Sequence, residues 1–114
     1  MMLDRSTRLV TPVPGLVTEA LDAANAHDVR AFVACFERSG SLDAWGMLFE
    51  GHPGIAEWAE KWVSAYLVSF TDLLHVWDGG AIAVHTQVRG QGYNGPATLT
   101  FSMRDHLIHA LDIS

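Results

Sequence analysis

The chain has 114 residues, a formal net charge of −6 and a hydrophobic content of 49%. This length suffices for one domain with a single core, and the hydrophobic content excludes a disordered chain. The excess of acidic residues argues against a nucleic-acid partner, because binding to phosphates needs a clustered excess of Lys and Arg.

The apolar runs of the chain and its single cysteine indicate in which cellular compartment the protein is expected. No apolar run approaches the roughly 20 residues of a membrane-spanning helix, and the first residues lack the apolar centre of a secretory signal. Cys35 is the one cysteine, so it cannot form an internal disulfide, and it falls on an apolar helix face. We expect a cytoplasmic protein with no membrane partner, in which Cys35 is a buried, inert thiol.

The N-terminal half of the chain is predicted to be helical. Residues 1–11 are expected to form a tail, and residues 12–114 a single domain. Leu16 and the apolar residues that follow it recur at helical spacing and predict a first helix that ends near Asn25. Asp28 is a suitable cap for a second helix, because its carboxylate can accept hydrogen bonds from unpaired amides of the first turn.

The second helix is expected to carry a buried face that includes Phe36 and to end at Ser39-Gly40. Two short strands are predicted after it, over residues 41–45 and 47–49. Pro53 fits the first position of a third amphipathic helix, where its missing N–H group costs nothing.

The C-terminal half changes from helical periodicity to the alternation of strands. Residues 68–77 and 81–89 flank Asp78-Gly79-Gly80, a strong hairpin signal, and residues 97–103 and 107–113 form a second hairpin. Three helices followed by four antiparallel strands predict an α+β domain, with the helices packed on one face of a curved sheet.

Four short motifs carry a resemblance to a known family. They are Asn25-Ala26-His27-Asp28, Asp43-Ala44-Trp45-Gly46, the segment from Phe49 to Trp58, and Tyr93-Asn94-Gly95-Pro96. Together with the order of elements, they resemble the nuclear transport factor 2-like superfamily, and within it the SnoaL-like branch of small bacterial proteins. The resemblance implies a cone-shaped antiparallel sheet packed against three N-terminal helices, a cavity open at one end, and a homodimer formed through the sheet.

The resemblance does not determine the chemistry, because the superfamily includes isomerases, dehydratases, hydrolases and polyketide cyclases beside non-catalytic modules. Alignment with ketosteroid isomerase places its base at Ala44, its tyrosine near Ala20, and its second acid within Thr98 to Phe101. None of these positions carries the required side chain. Steroid isomerase activity is therefore disfavoured.

Asp43 is the best candidate for an acid/base group. A carboxylate beside Trp45 could have its pKa raised by desolvation and act as a general base. The alternative is an acid that faces solvent or caps the nearby turn. Because side chains alternate between the two faces of a strand, Asp43 cannot replace an acid at Ala44 without a bulge.

Aromatic and aliphatic side chains are predicted to line a pocket for a small apolar ligand. The predicted lining residues are Trp45, Phe49, Trp58, Trp62, Val84, Val88, Tyr93, Leu99 and Phe101. The alternative is that the aromatic residues on the helix stripe belong to an ordinary core. Tyr93 lies in a glycine-rich loop that could cover the mouth of the cone, although a plain turn explains this loop equally well.

His75 and His85 lie on the two arms of the first hairpin and are expected close together on its convex face. A metal site needs at least three ligands, and no third is evident, so we predict neither a metal nor another cofactor. The sequence thus predicts a SnoaL-like small-molecule-binding protein. It is either a lyase, isomerase or cyclase that uses Asp43, or a non-catalytic binding or dimerisation module.

Overall fold

The computed structural model describes residues 15–65, 67–78, 80–91 and 94–114. Within these ranges the helices are α1 (Gly15–Asn25), α2 (Val29–Ala34) and α3 (Gly51–Ala59), which continues as a π-helix over Glu60–Ala65. The strands are β1 (Phe36–Ala44), β2 (Met47–Glu50), β3 (Ser69–Asp78), β4 (Ala81–Arg89), β5 (Gly95–Arg104) and β6 (Leu107–Ile113). None of the described helices is both long and apolar enough to cross a membrane.

The strands form one six-stranded sheet in the order β2-β1-β6-β5-β4-β3. The α+β class is confirmed, and so is the antiparallel meander of β3 to β6. The sheet as a whole is mixed, whereas the sequence predicted an antiparallel one, because β1 pairs in parallel with β6. This pairing brings the short β1–β2 hairpin into the main sheet and makes β2 one of its two edges.

The core lies between the helices and the inner face of the sheet. Alternate residues of the strands meet the apolar stripes of α1, α3 and the π-helix, as the periodicity predicts. The largest fully buried side chains are Phe36, Phe101, Leu42, Ile55, Ile82, Leu99, Ile108, Leu111, Ile113, Val17, Val63 and Val84. Every layer of the domain contributes to this one cluster.

The second helix is shorter than predicted, because the sheet takes up its C-terminal half. α2 ends at Ala34, and Phe36 already pairs with Ile108 as the first residue of β1. The amide of Ile108 donates to the carbonyl oxygen of Cys35 at 2.9 Å. Phe36 is buried because it packs on the sheet. Over so short a segment, one buried residue fits the periodicity of a helix and that of a strand equally well, so the spacing alone could not identify the strand.

The joint between α1 and α2 ties the helical layer to the rest of the domain. Asn25 Nδ2 donates to the carbonyl oxygen of Phe70 at 3.0 Å, and the amide of Phe70 donates to Asn25 Oδ1 at 2.7 Å. His27, with φ of 59°, places its Nδ1 2.9 Å from the carbonyl oxygen of Val63 in the π-helix. Asp28 caps α2 as predicted, at 3.1 Å from the amide of Ala31. The polar residues of this motif thus have structural roles.

The third helix begins two residues earlier than predicted, directly after β2. Pro53 lies in the first turn of α3, where its missing N–H group leaves no partner unsatisfied. At Gly54, a Cβ atom would lie 3.0 Å from the backbone carbon of Phe49. The absence of a side chain at Gly54 therefore lets α3 pack closely on β2.

A charged cluster connects β1, β5 and β6 at one end of the sheet. Arg104 Nε and Nη2 donate to the two carboxylate oxygens of Glu37 at 3.0 and 2.9 Å, and His109 Nδ1 lies 3.0 Å from Glu37 Oε1. The hydrogen bonds from Arg104, and next those from His109, hold the pKa of Glu37 below its ordinary value.

Replacement of Asn25 by alanine should destabilise the fold by about 2 kcal/mol, because it leaves the amide and carbonyl of the buried Phe70 without partners. Urea unfolding would measure the loss. Asn94→Ala is a matched control, since Asn94 makes the same pair of hydrogen bonds to Gly90 on an exposed loop. A control variant as unstable as Asn25→Ala would contradict this explanation.

The Glu37 cluster should make stability depend on pH in the acid range. Because the folded pKa of Glu37 is depressed, its contribution is complete above the unfolded carboxyl pKa and is lost as pH falls through the folded value. The unfolding midpoint of the wild type should exceed that of Glu37→Gln at about pH 7, and the difference should shrink towards about pH 3. A difference that stays constant over this range would rule the effect out.

Candidate functional site

The turn between β1 and β2 forms one side of the candidate site. Ala44 pairs with Met47, so Trp45 and Gly46 are the two residues of a tight hairpin turn. Their φ values are 49° and 90°, and positive φ at both positions is the pattern of a type I′ turn. The amide of Trp45 donates to the carbonyl oxygen of Ile113 at 2.9 Å, which fixes the turn to the end of β6.

α3 and the π-helix form the other side. Trp58 is 3% exposed, and its ring lies 5.9 Å from that of Phe32 between centroids. Trp62 follows four residues later, in the π-helix, and is half-buried. The two indoles therefore project from consecutive turns of one continuous helix, and Trp58 is anchored in the core while Trp62 remains closer to the surface.

Between these two sides lies a cavity of about 300 Å³, which we call the aromatic pocket. It is lined by Ala44, Trp45, Met47, Phe49, Glu57, Trp58, Lys61 and Trp62. Four aromatic rings thus meet at one edge of the sheet, those of three tryptophans and one phenylalanine. Their positions in the sequence differ by up to 17 residues. All four were among the predicted pocket residues.

The remaining predicted pocket residues do not line this cavity. Val84, Val88, Leu99 and Phe101 are at most 3% exposed and belong to the core between helices and sheet. They belong to the same buried cluster as Val17 of α1 and Ile55 of α3. Tyr93 lies outside the described residues.

Asp43 has a structural role in the turn. Its Oδ1 accepts a hydrogen bond from the amide of Gly46 at 2.9 Å. In the register of the sheet, Asp43 lies beside Leu48 on one strand and Asp112 on the other, on the outer face. Ala44 is the residue that points into the aromatic pocket, as strand alternation required, so the geometry gives no support to Asp43 as the acid/base group.

Two ionisable side chains of the aromatic pocket were not among the predicted site residues. Glu57 and Lys61 were expected to face water, and they are exposed, but both line the pocket as well. Lys61 Nζ lies 5.8 Å from the centroid of the Trp62 ring, within the range of a cation–π interaction. In the sequence, Glu57 directly precedes Trp58 and Lys61 directly precedes Trp62. This adjacency to two predicted pocket residues is the signal that could have identified both as lining residues.

The indole N–H group of Trp58 is buried without a hydrogen-bond acceptor among the described residues. An unsatisfied donor of this kind costs about 1–3 kcal/mol.

The two hairpin histidines do not form a pair. His75 lies opposite Val84 and faces inward, whereas His85 lies opposite Leu74 on the outer face, where its Nδ1 is 3.0 Å from Thr98 Oγ1. The register shift between Thr71 and Leu74 sets this arrangement, which the sequence pattern did not reveal. In the described ranges, no three His, Cys, Asp or Glu side chains are grouped as metal ligands.

Cys35 is buried, as predicted. Burial, and next the charge of Glu19, raises the pKa of its thiol, and its Sγ donates to the carbonyl oxygen of Ala31 at 3.4 Å. A raised pKa keeps the thiol protonated, which makes it a poor nucleophile.

No protein-family model and no curated protein matches the sequence. Solved structures do match. A candidate polyketide cyclase from Sinorhizobium meliloti superimposes with a TM-score of 0.82 at 24% identity, over 90% of this chain and 95% of its own. An NTF2-like protein of unknown function from Cytophaga hutchinsonii gives a TM-score of 0.77 at 14% identity, over 95% and 93%.

A third similar structure is a hypothetical protein with a ketosteroid isomerase-like fold from Catenulispora acidiphila, in complex with trimethylamine. It gives a TM-score of 0.77 at 18% identity, over 90% of this chain and 86% of its own. Similarity at these identities establishes architecture and leaves chemistry open. The three helices, the six-stranded sheet and these superpositions show that the chain has the nuclear transport factor 2-like fold, as its sequence motifs indicated.

Proposed function

We propose that this chain is a small-molecule-binding protein of the SnoaL-like type and that its ligand occupies the aromatic pocket. The observation that carries this proposal is the convergence of four aromatic side chains, from the β1–β2 turn, β2, α3 and the π-helix, on one cavity of about 300 Å³. This size lies at the lower end of the range for small-molecule sites. An apolar ligand would gain free energy by removing the surrounding ring surfaces from water.

Binding is better supported than catalysis. Asp43 lies outside the pocket, and the ionisable groups that do line it, Glu57 and Lys61, are exposed and sit one helical turn apart on the same helix. Acid/base catalysis needs groups positioned on the reacting atoms of a bound substrate. Catalysis of a lyase, isomerase or cyclase reaction is therefore the weaker alternative. Candidate polyketide cyclases are among the solved structures that share the fold.

The outer face of the sheet is the proposed contact for a second copy of the chain. Leu74 is 61% exposed on this face, beside His85, and Val76 is exposed next to it on β3. Leu74, His85 and Thr98 also line an open cleft on this face. Exposed apolar residues of this kind are typical of interaction surfaces, and the homodimer implied by the sequence resemblance would cover them.

The binding proposal predicts that Trp62→Ala weakens binding of a neutral apolar dye, N-phenyl-1-naphthylamine, by roughly tenfold, because one wall of the pocket is removed. Fluorescence titration would measure the affinity. Trp77→Ala is a matched control, since Trp77 is a partly exposed tryptophan on β3 that does not line the pocket. Equal effects of the two variants, or no effect of Trp62→Ala, would refute the site.

The dimer proposal predicts that Leu74→Glu shifts the protein from dimer to monomer, because a charge would be buried in the contact. Sedimentation velocity would report the mass. Leu67→Glu serves as the control, since Leu67 is an exposed leucine that precedes β3 and lies outside the sheet. A wild type that sediments as a monomer at every concentration would disprove the proposed dimer.

A further inference from the structure

The aromatic pocket has the composition of a binding site for an organic cation. We propose, on the basis of the function inferred above, that its ligand is a small quaternary or tertiary alkylammonium ion. Such an ion has an apolar methyl or alkyl surface that can pack against the rings of the pocket. It also carries a diffuse positive charge, which the negative potential of the ring faces attracts.

Half of the side chains that line the pocket among the described residues are aromatic. The face of an aromatic ring carries negative electrostatic potential, and tryptophan offers the strongest attraction for a cation. Trp45, Trp58 and Trp62 line the same cavity together with Phe49. An ordinary apolar site could be lined with leucine and valine, whereas several rings around one cavity are the usual means of binding alkylammonium groups.

A cation already lies against one of these rings. Lys61 Nζ is 5.8 Å from the centroid of Trp62, so the ring attracts positive charge from the rim of the pocket. The lysine is tethered by its own side chain and is strongly hydrated, whereas an alkylammonium ion loses little hydration when its methyl groups contact the rings. Lys61 therefore acts as a weak internal competitor for the same environment.

Charge beyond the rings favours a cation as well. The Glu57 carboxylate lines the pocket and offsets the Lys61 charge at its rim. The whole chain carries a formal net charge of −6, which attracts cations and repels anions at long range. An anionic ligand would have to approach against this field and place its charge among ring faces. Among the residues that the structure describes, Lys61 is the one cationic side chain that lines the pocket.

Three probes of nearly the same shape separate charge from bulk. Choline, its neutral isostere 3,3-dimethylbutan-1-ol, and the anion 3,3-dimethylbutanoate would each be titrated into ¹⁵N-labelled protein while the indole N–H signals of the four tryptophans are followed. Trp77 serves as the internal control because it lies on β3, away from the pocket. We expect choline to shift the signals of Trp45, Trp58 and Trp62 and to bind about tenfold more tightly than the isostere.

Two exposed substitutions sharpen the test without disturbing the core. Glu57→Gln should weaken choline binding about threefold or more and leave the isostere unaffected, whereas Lys61→Met should strengthen choline binding by a similar factor. Glu60→Gln removes a neighbouring acid that does not line the pocket and should change neither affinity. A site for an anion would show the opposite response to Lys61→Met.

The outcomes distinguish this inference from the function on which it rests. If the isostere binds as tightly as choline, or the anion binds most tightly, the cation inference is overturned and the pocket remains a small-molecule site. The same holds if none of the three probes shifts an indole signal while N-phenyl-1-naphthylamine binds at Trp62. If the dye and all three probes fail to bind, both proposals are wrong.

Discussion

The joint between α1 and α2 is the constraint on which the arrangement of the helices depends. Asn25 pairs with the backbone of Phe70 as a neighbouring strand would, so the end of α1 is fixed to edge strand β3. Two residues later, His27 binds the carbonyl oxygen of Val63 in the π-helix. The contact of Asn25 spans 45 positions of the sequence and that of His27 spans 36. Together they connect the end of α1 to both β3 and the π-helix. Without these hydrogen bonds, burial of apolar surface would still favour packing of the helices on the sheet. The hydrophobic effect is non-directional, however, so it would not fix the position of the helices that form one wall of the aromatic pocket.

The position of the pocket follows from how completely the interior is filled. Ile55 and Val63 are fully buried against the inner face, so little space remains between helices and sheet. The aromatic pocket lies where the β1–β2 turn and β2 face α3 and the π-helix. There the helix changes from α to π geometry at Glu60, which rotates the following residues relative to the α-helical stripe. The change accompanies the exposure of Trp62 at the rim, whereas Trp58 one turn earlier remains in the core.

The sequence predicted those features that depend on local chemistry. The Asp28 cap and the two hairpins of β3 to β6 depend on short-range signals, and the structure contains them. Features set by long-range pairing were not predictable. Phe36 fits helical spacing, yet its partner Ile108 lies 72 positions away and places it on a strand. Val84 and Leu99 were assigned to the pocket because the inner face could be recognised, but whether helices would cover that face depends on packing.

The turn at Trp45 bears on whether the pocket is merely a by-product of folding. A tryptophan with φ of 49° occupies a conformation that costs a non-glycine residue about 1–2 kcal/mol, and asparagine is the side chain that type I′ turns prefer there. The indole also remains 50% exposed, so burial offsets the cost only in part. Asp43 and Gly46 already satisfy the turn through their own hydrogen bond. The hydrogen bond of the hairpin therefore does not require a large ring at this position, and the proposed ligand site would use this ring as a third indole opposite Trp58 and Trp62.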